Sequence, residues 1–284
     1  MYTSLFMTII SIIVLPCIIL IPSNAYTVPE EVRALEFIKD ANINRSINWQ
    51  RALASWTCPT DADDSDEGCD PCSRDWSGNW EHIQCRGAGG RYGEGSIGHY
   101  DGYVTTVHVT DAHLDGPPAK EWCLLTHLRE LDLDGGNQNG PFPEWIPKCH
   151  PQLQELDLSF NRLTGRIPNN IRKKETLQEF KVEHNYFSGP VPAILGGMPN
   201  LWRVRLAYNH FEGTIPESWR NMSGNLNQLD ISHNHISGNL SVLAFFKLMY
   251  ASVHSNAGLC GMVPESIRYA SGYNPSGTGL GHPC

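Results

Sequence analysis

Apolar and polar residues alternate in short bursts along most of this chain, and the bursts recur at a fixed interval. From Leu153, the stretch LQELDLSFNRLTGRIP puts apolar side chains at positions 1, 4, 6 and 11 of a frame, Asn161 at position 9, Gly165 at 13 and Ile167-Pro168 at 15 and 16. The same frame returns in LQEFKVEHNYFSGPVP from Leu177, LWRVRLAYNHFEGTIP from Leu201 and LNQLDISHNHISGNLS from Leu226. Looser copies start at Val104 (VTTVHVTDAHLDGPPA), Leu128 (LRELDLDGGNQNGPFP) and Leu248 (LMYASVHSNAGLCGMVP), giving seven units. The frame asparagines Asn161, Asn185, Asn209, Asn234 and Asn256 stand 24, 24, 25 and 22 residues apart. A period in this range marks stacked repeats, in which no unit buries its own apolar face and neighbours supply the core.

Each unit has a readable plan. Positions 1, 4 and 6 predict a short strand with alternate residues facing the core. The asparagine then turns the chain inward, where its amide can satisfy backbone groups that no strand reaches or pair with the next asparagine. The glycine at position 13 supplies a turn position that needs no Cβ. Proline at position 16 opens the return path, since it cannot donate to a ladder. These positions carry structure, not chemistry.

The LxGxIP endings and the 24-residue period resemble plant-type leucine-rich-repeat extracellular proteins, including polygalacturonase-inhibiting proteins and receptor-like-kinase ectodomains. DPCSRDWSGNWEHIQC (70–85) resembles the N-terminal cap of that family, and NAGLCG (256–261) its last repeat. The resemblance covers about residues 30 to 284. It implies an α/β repeat: a right-handed solenoid with a concave parallel β-sheet and disulfide-bearing caps, Cys72–Cys85 at one end and Cys260–Cys284 at the other. Seven units are fewer than the polygalacturonase inhibitors carry and more than the short co-receptor ectodomains carry, so no ligand contact transfers by position.

The apolar run from Leu5 to Ile21, followed by Pro22-Ser23-Asn24-Ala25, reads as a signal peptide (1–25) cleaved after Ala25. The competing reading is an uncleaved anchor, against which Pro16 counts. After cleavage no other run is long enough to span a bilayer, so the product is expected to be secreted, extracellular or in the cell wall. Eight cysteines remain: Cys58, Cys69, Cys72, Cys85, Cys123, Cys149, Cys260 and Cys284. An even number in a secreted chain reads as disulfides. Proximity suggests Cys58–Cys69. Cys123 and Cys149 either bridge adjacent units or stay as two buried thiols. Sequons at Asn44, Asn221 and Asn239 are candidate glycan sites. The net charge of −9 argues against nucleic acid or an acidic polysaccharide as a charge-driven partner. No cofactor or metal is implied.

The remaining segments fit one structural domain. Residues 26–102 form an N-terminal cap with a Gly-rich insertion (86–102), 103–264 the seven repeats, and 265–284 a closing tail expected to be irregular. Helical spacing of Val32, Leu35, Phe37 and Ile38, followed by Leu53 and Trp56, predicts a cap that covers the open end. The acidic stretch 60–67 reads as a solvated loop, because Cys72 stands where a calcium loop needs Glu.

Frame positions 3, 5, 7 and 8 are expected to face solvent on the concave side. The early units offer a carboxylate strip: Glu130, Asp132, Glu155, Asp157 and Glu179. The middle units offer a ridge of rings flanking the asparagines: Phe160, His184, Tyr186, Tyr208, His210, His233 and His235. Arg203 and Arg205 interrupt the strip. Exposed aromatic and arginine side chains are the types that carry interface energy, and aromatic faces also stack on sugars. The candidate ligand-binding set is therefore Phe160, His184, Tyr208, His233, Arg203, Arg205, Glu155 and Glu179. The expected partner is an extracellular protein or peptide, with a cell-wall glycan as the alternative. Glu155 and Asp157 lie about 7 Å apart on one strand, a spacing that suits a glycosidase pair, but an open sheet offers no water-excluding pocket. The reading is a binding module, not an enzyme.

Overall fold

The computed structural model describes residues 30–54, 83–87, 102–169, 171, 175–222 and 224–284. The leader, Cys58, Cys69, Cys72, the acidic stretch 60–67 and most of the Gly-rich insertion lie outside these residues, and with them the pairings Cys58–Cys69 and Cys72–Cys85.

Strands are numbered in chain order. Each frame's positions 3–5 form a strand of the first sheet: β2 (Gly102–His108), β4 (Glu130–Asp132), β6 (Glu155–Asp157), β8 (Glu179–Lys181), β10 (Arg203–Arg205), β12 (Gln228–Asp230) and β14 (Tyr250–Ser252). All seven are parallel and in register, with position 3 of one unit opposite position 3 of the next. β1 (Ile83–Gly87) pairs antiparallel with β2 at the N-terminal edge, Gly87 opposite Gly102.

A second sheet was not foreseen. Beyond each asparagine the chain forms β3 (Asp115–Gly116), β5 (Asn137–Pro141), β7 (Arg162–Gly165), β9 (Tyr186–Pro190), β11 (His210–Gly213), β13 (His235–Gly238), β15 (Gly258–Gly261) and β16 (Gly279–Leu280), again stacked in order. Pro141 and Pro190 end two of these strands, where a missing N–H is least costly. The tail, expected to be irregular, continues both sheets: Ser271 bridges to Tyr250, and β16 pairs with β15. It thereby covers two exposed edges, the usual hazard of an open sheet.

Between the sheets lies one continuous apolar core. Position 4 contributes Leu156, Phe180, Val204 and Leu229, position 6 Leu158, Val182, Leu206 and Ile231, and position 11 Leu163, Phe187, Phe211 and Ile236, all fully buried. The return paths are short 3-10 turns, such as Ala193–Gly197 and Glu217–Met222, that drop Leu195 and Trp219 into the same core. At the N-terminal end, α1 (Glu30–Asn42) and α2 (Ile47–Ala52) seat Leu35, Ile38, Trp49 and Leu53. Phe37 is instead 59% exposed, because it falls off the face that Leu35 and Ile38 share. Trp49 Nε1 donates to Asp115 O at 2.8 Å and Arg45 to Pro117 O at 2.9 Å, fixing the cap to the first unit.

Cys123 and Cys149 form a disulfide between successive return paths, which settles the open choice against free thiols. Cys260–Cys284 ties down the tail, as the resemblance implied. Asn44, Asn221 and Asn239 are all exposed.

The asparagines do not pair with one another. Asn209 is representative: its Oδ1 accepts from Phe187 N of the preceding unit at 2.9 Å, while its Nδ2 faces Val182 O of that unit at 2.9 Å and Leu206 O and Ala207 O of its own at 3.2 and 3.1 Å. Every partner is backbone, because the position-9 turn leaves carbonyls and an N–H of two units converging on one buried point. Replacing Asn209 by Ala should cost about 3 kcal/mol, since several buried backbone groups lose their partner. Guanidinium unfolding of the variant beside the parent checks this. A loss within experimental error would mean that water replaces the amide.

Candidate ligand-recognition face

The turn that buries each asparagine sets the geometry of the residue before it. Position 8 is left-handed in every unit: Asp111, Gly135, Phe160, His184, Tyr208, His233 and Ser255 have φ between +52° and +64°. Only glycine adopts this region freely, and other residues pay about 1–2 kcal/mol for it. The turn geometry imposes the conformation on large rings that do not favour it, and the stack aligns them.

Aligned they are. Phe160 and His184 stack at 4.3 Å between centroids, His184 and Tyr208 at 4.0 Å, and Tyr208 and His233 at 3.9 Å, each pair within 14° of parallel. His254 closes the row edge-on to His233 at 4.7 Å. Phe160 and Tyr208 remain 47% and 44% exposed, so the row is a solvent-facing feature and not core. Tyr186, His210 and His235, grouped with these rings in the sequence reading, sit beyond the asparagine on the second sheet. There they form a separate, looser row with centroids 6.1 and 5.8 Å apart.

Within the first row the facing sides of the rings are spent on each other, which leaves an outer face of Phe160 as the ring face that no other ring in the row covers. Phe160 and Tyr208 are exposed and His184 and His233 partly so, which leaves the edges of the stacked rings on the solvent side. Burial first, and then the neighbouring charge of His233, holds the His184 imidazole below its ordinary range. Burial and then His254 do the same for His233. Asp230 opposes both effects.

The charged residues make a second group on strand positions 3, 5 and 7. Lys181, which the sequence reading passed over, is the hub. Its Nζ lies 2.5 Å from Glu155, 3.1 Å from Asp157 and 3.5 Å from Glu179. Burial pulls its pKa down, but the hydrogen bond to Glu155 and the charge of Asp157 more than offset this and the pKa rises. Arg203 bridges Glu179 at 2.7 Å and Gln228 at 2.8 Å and lies over the Trp202 ring. Arg205 reaches Glu183 at 3.5 Å and lies over Tyr250, whose hydroxyl donates to Asp230. Lys181 was legible in principle, because it is the register neighbour of Asp157.

Asp157 and Asp230, taken as exposed in the sequence reading, are only 7% and 8% exposed. Each accepts the backbone N–H two residues on, from Ser159 and Ser232, and so braces the turn before the asparagine. Asp132 does likewise for Asp134. The carboxylate strip is therefore part brace and part salt-bridge network. Among the described residues no group of three or more His, Cys, Asp or Glu side chains is placed to hold a metal ion. No described helix is long and apolar enough to cross a membrane.

Comparison with known proteins agrees with this architecture. The Leucine Rich Repeat family model matches residues 152–173, 200–222 and 225–246. No curated protein matches the chain. Among solved structures, the chain is similar to the ectodomain of the Arabidopsis receptor kinase HAESA bound to an extended IDA peptide hormone, at 20% identity and a TM-score of 0.63 over 89% of this chain and 42% of that one. It is similar to a plant ice-binding protein at 20% identity and a TM-score of 0.58, covering 88% of this chain and 87% of that one. It is also similar to the ectodomain of the Arabidopsis receptor kinase SOBIR1 at 25% identity and a TM-score of 0.51, covering 73% and 94%. The chain spans between 23% and 42% of the peptide-receptor ectodomains heading these matches. The fold is the leucine-rich-repeat fold of plant receptor-kinase ectodomains.

Burial, then repulsion from Asp157 and Asp134, raises the Asp132 carboxyl to about 7. A folded pKa above the unfolded value near 3.9 means that the native state binds the proton more tightly. The stability this contributes is full below about pH 4 and is lost as pH rises through about 7. Asp132→Asn should therefore stabilise the chain at pH 8 by about 1–2 kcal/mol, partial exposure screening the remainder. At pH 4 it should be neutral. Thermal unfolding at both pH values checks this, and equal effects at the two would remove the linkage.

Proposed function

We propose that this chain is a secreted, non-catalytic recognition module that holds an extracellular peptide or protein against the outer face of the first sheet. The observation that carries this reading is the position-8 row. Four large rings are held in an unfavourable backbone conformation and stacked in contact, Phe160 and Tyr208 nearly half exposed and His184 and His233 partly so. Packing alone does not need them, since Gly135 and Ser255 serve the same turn. Beside them Arg203 and Arg205 are held by carboxylates and rings, ordered before any ligand arrives. Ordered aromatic and arginine side chains give up little entropy on binding, which is what an interface anchor needs. The HAESA ectodomain, described with a peptide hormone bound, shows that this fold accommodates such a ligand in that protein.

Three other readings have less support. Catalysis by Glu155 and Asp157 is disfavoured because both carboxylates are bound to one ammonium on an open face. A glycan stacked on the ring row would find only the outer face of Phe160, because the faces between neighbouring rings are covered by the row itself. An ice-binding surface must repeat one spacing across a flat face. The second sheet instead shows solvent Arg162, Tyr186, His210, Glu212 and His235, which differ in size and charge.

Affinity capture from extracellular fluid tests the proposal, with wall polysaccharide in a parallel arm. A protein or peptide retained by the mature chain should be lost by about tenfold or more from Tyr208→Ala. Retention of polysaccharide alone would overturn it. The two imidazoles are held toward their neutral form, so retention should be level from about pH 8 to 7 and change only as pH falls below about 6. Retention unchanged at about pH 5 would remove the imidazole edges from the contact.

A further inference from the structure

The ring row at position 8 begins at Phe160, and the place before it lacks a side chain. Gly135 stands where the next unit has Phe160, and among the described residues no ring stacks on the other face of Phe160. Asp111 of the preceding unit borders this gap, its carboxylate and backbone standing where a Cβ on residue 135 would go. Asp134 adjoins the same glycine. Within the described residues neither carboxylate is within salt-bridge distance of a cation, because His108 serves Glu130 and Lys181 serves Glu155, Asp157 and Glu179. Burial first, and then the charges of Asp157 and Asp111, push the Asp134 carboxyl upward against the weaker opposing charges of Lys181 and His108.

A second observation is independent of the acids. Ser159 is 2% exposed, and its hydroxyl has no hydrogen-bond partner. It sits at position 7 directly beside Asp134 in the stack, on the strand face it shares with Asp157. In the equivalent place Ser232 donates its hydroxyl to Asp230 at 2.7 Å. The hydroxyl of Ser159 is left over, as is the buried Oδ1 of Asp134. A buried polar atom without a partner is costly, and it marks a place where one is missing.

One chemistry answers every open valence. A cationic side chain gives charge-assisted hydrogen bonds to Asp111 and Asp134, a partner for Ser159 Oγ, and a cation over the free face of Phe160. A bare metal ion is a poorer match, since the side chains present no set of three or more ligands to it. We propose that the gap at Gly135, walled by Asp111, Asp134, Ser159 and Phe160, is the subsite for a lysine or arginine side chain of the extracellular partner. This rests on the recognition reading above and assigns the polarity of the ligand: its cationic residue lies toward the N-terminal units and its neighbours run along the ring edge.

Calorimetric titration of the mature chain with N-acetyl-arginine amide and N-acetyl-lysine amide, at low salt and near neutral pH, tests it. N-acetyl-citrulline amide is the neutral control. One or both cations should bind, and citrulline should not. Asp134→Asn and Phe160→Ala should each weaken the binding by about tenfold, with melting temperature measured alongside. His254→Ala, at the far end of the row, should leave it unchanged. Equal binding of citrulline, or full binding by an Asp134→Asn variant that melts like the parent, would overturn the subsite. If a captured partner is kept by Asp134→Asn and lost by Tyr208→Ala, the subsite fails while the recognition reading stands. If arginine amide binds as described but nothing is captured, the recognition reading fails and the subsite stands.

Discussion

Five buried asparagines hold the two sheets of this molecule together. Where a short strand of the first sheet ends, the chain must turn through the interior to start the second, and the turn strands backbone groups of two successive units in a dry core. Leaving them unpaired would cost more than a single unit's burial returns. Each amide faces one N–H and three carbonyls, so it joins its own unit to the one before. The solenoid is thus a chain of nearest-neighbour contacts, with the apolar core supplying the drive and the asparagines the registry.

That registry positions the exposed face of the first sheet. Because the turn fixes position 8 in the left-handed region, any ring placed there projects beside its counterpart one unit away. A strand spacing near 4.8 Å is slightly wider than a ring stack, and the rings lean together to 3.9–4.3 Å. Positions 3 and 5 fall opposite their counterparts in the same way. The order of charges along the chain therefore becomes an order of ion pairs across the sheet. Lys181 reaches three acids because Glu155 and Asp157 lie on the neighbouring strand and Glu179 on its own.

The split between sites follows from the same rule. The C-terminal half of the face has its charges matched and its rings stacked. Asp111, Asp134 and the Ser159 hydroxyl remain in the N-terminal half, where Gly135 stands beyond the end of the ring row. A ligand that binds both halves must therefore differ in chemistry along its length.

Much of this was legible in the chain. Period, frame and the chemistry of Asn and Gly determined the repeat fold, the seven parallel strands and the residues facing the first sheet, because these depend on local pattern and on one repeated step. The register of Lys181 with Asp157 could also have been read, once the frames were aligned. Other features depended on contacts between units that no single frame contains. The second sheet exists because return segments rich in Gly and Pro align across units, although none looks like a strand alone. Asp157 and Asp230 are braces because the turn after them brings the N–H of Ser159 and Ser232 into reach. The ring faces are covered because stacking brings them into contact, and the same composition with a wider spacing would have left them open. Sequence set what each unit presents; the distance between units, which only the folded stack supplies, decided which of those groups are spent on each other and which are left for a ligand.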